Sequence, residues 1–294
     1  MRRPKPHQVV LAIGVLAAFG TIASGVLPRI TEWTDHSHVS RQVFIDVPDP
    51  IYWLFYATAA TMLLVCAWLI SLRVRNYERG GPDDRRTTRR NVHRRLADFR
   101  AGVWMRTLLR DPVAGVMHSM IYFGFLWLFV ATVILEIDHQ MPDNLKFLHG
   151  RVYQAYSATA DAAGVVFLVG ILWAIGRRYI QRPYRIRIKT KPEDAVILGT
   201  FLLIAVTGFM VEGFRIALIG RPGLEKWSFV GYALSGLFDG WAAHTLRDLH
   251  RSMWLTHFAA FVAFLVILPT TKLRHMITSP MNMYLRDTGR PKGA

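Results

Sequence analysis

Three histidines stand inside or at the edges of long apolar segments: His118, in His118-Ser-Met-Ile-Tyr-Phe-Gly-Phe, His257 and His275. An imidazole in an apolar segment is rare unless something binds it, so each is a candidate ligand. His257 and His275 are eighteen residues apart. On one continuous helix that is about five turns, which sets both rings on one face roughly 27 Å apart. The spacing suits one ligand near each surface of a membrane and not two ligands of one metal. A b-type haem takes a neutral imidazole on each side of its iron, so each histidine needs a partner on another helix. His118 enters from the side where His275 leaves, which makes them natural partners. Two hydrogen-bonded interhelical histidines are the alternative reading of the same spacing.

Ionisable residues in apolar segments form a second group. Asp161 sits ten residues into one of them, where a carboxylate costs about 2.5–3.5 kcal/mol unless paired or protonated. It either orients a ligand histidine, carries protons, or hydrogen-bonds a neighbouring helix. Glu212 and Arg215 are three apart on one helix face, the spacing of an ion pair. The single cysteine, Cys66, cannot build a disulfide, an iron–sulfur cluster or a covalent haem attachment. Any haem is therefore held non-covalently, and any cluster belongs to another polypeptide.

The elements that must carry these residues are membrane spans. The 294 residues are 52% hydrophobic and 19% charged, too apolar for an ordinary soluble domain of this size. Val9–Leu27, Ile51–Leu72 and Pro112–Leu135 contain no charged residue, and Val152–Gly176, Ala195–Ile219 and Ser252–Thr271 contain few. A bilayer core of about 30 Å needs ~20 such residues in a helix, so six spans are expected. The fold class is all-α, a polytopic membrane helix bundle. The first span could also be a cleaved signal peptide, since Arg2, Arg3 and Lys5 precede it.

The charge of +16 is uneven. Arg73–Asp111 carries twelve arginines, and with Arg177–Glu193, the first seven residues and the tail from Lys272 it accounts for 27 of 36 basic residues. All fall on one side if six spans alternate, so both termini are placed in the cytoplasm and the chain in the cytoplasmic (inner) membrane. A basic juxtamembrane loop is explained by anionic lipid of the bilayer, and no nucleic-acid partner is needed. Gly80-Gly81-Pro82 breaks this loop, after which Arg94–Leu109 reads as an amphipathic surface helix.

The stretch from His257 through Pro269 and Lys272 to His275, with Ser279-Pro280 following, resembles the last helix of the nitrate reductase gamma subunit family. The likeness covers roughly residues 50–285. It implies a five-helix cytochrome b core plus one N-terminal helix, two haems b, and His118 with His275 as ligands of the cytoplasmic-side haem. The family's second ligand on the helix of His118 falls at Leu128, so the outer-side haem held by His257 needs another partner. His149, in Phe147-Leu-His-Gly150, is on the correct side and is the expected one. The strings Arg110-Asp-Pro-Val-Ala-Gly-Val-Met-His118, Phe147-Leu-His-Gly150 and Thr207-Gly-Phe-Met-Val-Glu-Gly-Phe-Arg-Ile-Ala217 are similar to the membrane half of heterodisulfide-reductase-like proteins, including electron-transfer-flavoprotein:menaquinone oxidoreductases.

These resemblances imply a membrane component of a quinone oxidoreductase. Electrons would come from a cytoplasmic iron–sulfur protein or domain, with an electron-transfer flavoprotein as a possible donor, and pass to menaquinone. Residues 1–45 form the N-terminal helix and outer loop and 46–285 the haem domain. Residues 286–294 form a tail leading toward an iron–sulfur domain or subunit. Asp161, Glu212 and Arg215 are the expected quinone or proton residues. The rival expectation is a haem-free membrane anchor or transporter subunit, which gives no reason for two histidines at this spacing.

Overall fold

The computed structural model describes residues 4–34, 41–79, 88–106 and 108–285. The break at Gly80-Gly81-Pro82 and the tail 286–294 lie outside the described residues. The helices follow in the order α1 (Pro6–Thr31), α2 (Asp49–Glu78), α3 (Arg89–Val103), α4 (Pro112–Gln140) and α5 (Gly150–Ile175), which runs on through a π-helical turn at Gly176–Gln181. Then come α6 (Tyr184–Arg187), α7 (Pro192–Leu218), α8 (Phe229–Ser235), α9 (Ala243–Thr270) and α10 (His275–Leu285). No strand occurs among the described residues. Helices α1, α2, α4, α5, α7 and α9 are each at least 26 residues long and apolar enough to cross a membrane. At 1.5 Å per residue they reach about 39 Å or more, beyond the ~30 Å hydrocarbon core. Large apolar side chains such as Phe19 (72% exposed) and Leu16 (69%) point outward, as lipid-facing side chains do and a water-soluble surface does not. The chain is an all-α multi-pass membrane protein.

Local sequence sets where the spans start. Asp111 caps α4 by accepting the Ala114 N–H at 3.2 Å, with Pro112 in the first helical position. Pro192 opens α7, where Asp194 accepts the Lys191 N–H at 2.8 Å. Glycines then let neighbouring helices approach closely. A methyl on Gly124 of α4 would lie 2.9 Å from Cβ of Phe167 on α5, and one on Gly164 of α5 would lie 2.6 Å from Cζ of Phe209 on α7. Phe167, Ile171, Phe201, Phe264 and Leu265 form the core of α5, α7 and α9, with Phe125 and Leu128 of α4 packed against it.

Three boundaries differ from the sequence expectation. The surface helix begins earlier, because Thr88 caps it by accepting from Asn91 N–H at 3.3 Å, and ends at Val103, before Met105 turns left-handed at φ 55°. Helix α9 begins at Ala243 rather than Ser252, so His257 lies mid-helix and not at its mouth. The last helix is also not continuous to His275. Thr271 is extended (φ −109°, ψ −171°), a 3-10 turn spans Lys272–Arg274, and α10 starts at His275. Pro269 prepares that break, since a proline weakens the helix that precedes it. The five-turn, one-face relation of His257 and His275 therefore does not hold.

Candidate functional site

His118, six residues into α4, faces His275 at the start of α10, with ring centres 5.9 Å apart and planes inclined 63°. Two imidazole nitrogens each about 2 Å from one metal put ring centres about 6 Å apart, so the spacing matches a bis-imidazole pair. His275 is carried there by the Lys272–Arg274 turn that follows the extended Thr271. Nδ1 of His275 lies 2.8 Å from the Lys272 carbonyl oxygen. That acceptor requires the proton on Nδ1 and leaves the Nε2 lone pair available, as a metal-ligating histidine needs. Nδ1 of His118 is buried without a hydrogen-bond partner. Lys272 itself is held by Asp194 at 3.0 Å and by Glu193 at 3.5 Å, so the ends of α7 and α9 fix the turn that carries His275.

The second histidine level lies deeper than expected. His257 Nδ1 is 3.0 Å from Thr207 Oγ1, whose own proton goes to the Leu203 carbonyl at 2.6 Å. Thr207 therefore accepts from Nδ1–H, and His257 Nε2 again keeps its lone pair. A methyl on Gly208 would lie 3.4 Å from His257 Cε1. Together with the Gly164–Phe209 and Gly124–Phe167 approaches, this sets His257, Gly208, Gly164 and the Leu128 region of α4 at one depth.

His149 does not share that depth. It is exposed at the N-cap of α5, fifteen residues before Gly164, or roughly 22 Å along the helix. The structure does not bring His149 and His257 together. Of the other outer histidines, His250 is two turns outward on α9 itself and His139 closes α4. His250 is fully buried, and neither ring nitrogen has a partner. The residues fit a bis-histidine haem at the inner level. At the outer level they offer one ligand, His257, and a single proximal histidine can hold a haem iron.

The charged residues of the outer half are paired differently from expectation. Arg215 does not bond Glu212. It makes a two-pronged pair with Glu225, both bonds 2.8 Å, and Tyr153 Oη donates to the same carboxylate at 2.9 Å. Burial pushes the Glu225 carboxyl up, but the hydrogen bonds and charge of Arg215 outweigh it and hold it below the usual carboxylate range. Glu212 is ion-paired with Arg41, which also donates to Ser228 Oγ at 3.1 Å. Asp161 accepts the Val230 N–H at 2.7 Å, capping α8 from a neighbouring helix. All three expected quinone residues are thus committed to structural partners.

Sequence reasoning passed over Glu136. It lies in the last turns of α4, where its Oε1 accepts from Tyr56 Oη at 2.7 Å and from Gln140 Nε2 at 3.3 Å. The available signal was a carboxylate immediately after an uncharged run, followed by Asp138, His139 and Gln140, which are all buried.

A profile described as nitrate reductase gamma subunit matches residues 108–289. Among curated proteins, the chain is 31% identical over 188 residues to the EtfAB:quinone oxidoreductase of Syntrophomonas wolfei, covering 61% of this chain and 26% of that protein. It is 26% identical over 187 residues to the probable iron-sulfur-binding oxidoreductase FadF of Bacillus subtilis, covering 61% and 25%. Over 123 residues it is 29% identical to one subunit of the dihydromethanophenazine:CoB–CoM heterodisulfide reductase of Methanosarcina thermophila, covering 41% and 46%. The chain thus spans about a quarter of the length of the first two relatives. No solved structure matches it.

Proposed function

Since the chain belongs to the nitrate reductase gamma subunit family, we propose that it is a cytochrome b-type electron-transfer module linking a cytoplasmic iron–sulfur donor to a quinone. The observation that carries this reading is the His118–His275 pair, 5.9 Å between ring centres, with Nδ1–H of His275 turned onto Lys272. An anchor or transporter has no need of two facing imidazoles, one of them held with its Nε2 lone pair free.

Haem b, when bound, supplies one-electron redox chemistry, and the chain supplies ligands, burial and outer hydrogen bonds that tune it. His118 and His275 would hold the inner haem. His257, oriented by Thr207, would hold the outer one from one side. Arg94, Arg95 and Arg100 of α3 lie on the side assigned to the cytoplasm, where an acidic iron–sulfur protein or domain would dock. The name of the Syntrophomonas relative includes a quinone, which supports quinone as the other substrate, menaquinone being the expected type.

The test is haem content and redox titration of purified variants. His118→Ala and His275→Ala should each remove the same haem and leave the same surviving midpoint. His257→Ala should remove the other, and His149→Ala neither. Wild-type protein without haem would overturn the reading in favour of the anchor. Different survivors in His118→Ala and His275→Ala would overturn the pairing.

A further inference from the structure

We propose that Glu136 is the proton-exchanging carboxyl of the outer half, passing a proton to, or taking one from, a quinone. The role rests on the quinone reading above. It follows from asking which acidic side chain of the outer half is free to change its protonation state.

Asp138 Oδ1 accepts the N–H groups of Phe147 and Leu148 at 2.7 and 2.8 Å. Asp161 caps α8, Glu212 is held by Arg41, and Glu225 is clamped by Arg215. Protonating Glu212 or Glu225 breaks a charge-assisted ion pair, and Asp138 and Asp161 are tied to backbone N–H groups, bracing a loop and the start of α8. Glu136 differs. Its partners are a phenol and an amide, both neutral, and no cation or backbone N–H among the described residues reaches it. Its Oε1 carries both bonds, and Oε2 takes none and is not enclosed. A carboxyl so placed can be ionised or neutral with the same partners.

The neighbours form a chain of polarised bonds. Gln140 Nε2 donates to Tyr56 Oη at 2.6 Å, and Tyr56 Oη donates to Glu136 at 2.7 Å, bridging α4 and α2. The other titratable groups of this cluster are occupied. From α1, Arg29 lies 4.3 Å from the centre of the Tyr52 ring and bonds Asp49 at 3.0 Å. Tyr52 Oη donates to the Gly25 carbonyl at 2.9 Å. Lys146 pairs with Asp143 and bonds the Met141 carbonyl at 2.6 Å. His139, on α4, stands 5.8 Å ring to ring from Phe44. Glu136 is about two turns outward of Leu128, whose level His257 shares, and so lies between that histidine and the outer water.

Reduction of a quinone to a quinol takes two electrons, which come here from the iron–sulfur donor, and two protons. As each electron arrives, the Glu136 O–H bond breaks, an O–H bond forms on the quinone oxygen, and the carboxylate left behind is reprotonated from the outer side. Two such cycles balance the reaction, and quinol oxidation runs them in reverse.

The test follows haem reduction by a short-chain naphthoquinol in stopped flow across a pH series, with purified wild type, Glu136→Gln, Glu136→Asp and Tyr56→Phe. Glutamine keeps the oxygen that accepts from Tyr56 and loses the exchangeable proton. Glu136→Gln should slow quinol-driven reduction about 10²-fold, the lower range for general acid–base catalysis, and should lose the ionisation in the wild-type pH profile. Haem content and reduction by dithionite should not change. Glu136→Asp should restore part of the rate, and Tyr56→Phe should shift the profile. A Glu136→Gln protein with the wild-type rate and profile overturns the proposal, as does Tyr56→Phe with an unshifted profile if the glutamine variant does not fold. Wild-type haem that no quinol reduces overturns the quinone reading itself, a distinct result.

Discussion

Replacing Arg215 by methionine isolates the pair that closes the outer half of the bundle. The side chains of Arg215 and Glu225 are 4% and 2% exposed and meet through two 2.8 Å bonds. Removing one partner of a buried pair leaves the other charge uncompensated, which costs about 3–5 kcal/mol. Tyr153 still donates to Glu225 in the variant, so the lower end, ~3 kcal/mol, is expected. At about 2–4 °C per kcal/mol for a chain approaching this length, the thermal midpoint should fall by roughly 6–12 °C. In the double variant Arg215→Met/Glu225→Met no charge is stranded, and most of that loss should return. The pH dependence has a definite sign. The folded Glu225 carboxyl lies below its ordinary value, so its contribution is fully present above the unfolded carboxylate pKa of ~4.3. It is lost as pH falls through the lower folded value. Glu225→Gln should therefore flatten that part of the acid limb. The assay is thermal unfolding in detergent, followed by tryptophan fluorescence, for the wild type, both single variants and the double variant. A single substitution costing under ~1 kcal/mol, or a double variant as unstable as the summed singles, would refute the reasoning.

Other perturbations separate the levels of the bundle. Thr207→Val removes the acceptor of His257 Nδ1–H and should lower occupancy of the outer haem and shift its midpoint. Loss of such a supporting hydrogen bond weakens metal binding by about 10–100-fold, while the His118/His275 haem should titrate as in wild type. Charge reversal at Arg94, Arg95 and Arg100 should reduce pull-down of the iron–sulfur partner at moderate salt and leave haem content intact. Unchanged retention would put the docking surface elsewhere.

The six spans were legible because an apolar run long enough to cross a bilayer has few other uses, and each run is a local property of the chain. The inner histidine pair was legible for a similar reason: His118 and His275 each sit at a span edge on the same predicted side. Depth was not legible. His257 read as the opening of its span because the preceding turns of α9 hold His244, Arg247, Asp248, His250 and Arg251, a polar sequence that looks like a loop. In the fold those turns are helical. His250 is buried outright, Arg251 Nε donates to the Asp46 carbonyl at 2.6 Å, and Arg247 pairs with Asp46 at 3.6 Å. A polar segment remained helical because the outer loop supplied its partners, and a pattern of apolar residues carries no record of that.

The same limit governs the charged pairs. Glu212 and Arg215 are near neighbours on one helix, so sequence spacing favoured joining them, yet each bonds a residue from a connecting segment instead. Arg41 reaches Glu212 across more than half the chain, and Glu225 returns to Arg215 from the turn after α7. Buried in an apolar surround, a short surface-type pair on one helix face gains little. A two-pronged pair closed by a tyrosine satisfies more of both groups' hydrogen-bonding capacity. Asp161 and Glu212 thereby stand in bonds to the start of α8 and to Arg41. Glu136, at the end of a span, has neutral side-chain partners and an open oxygen.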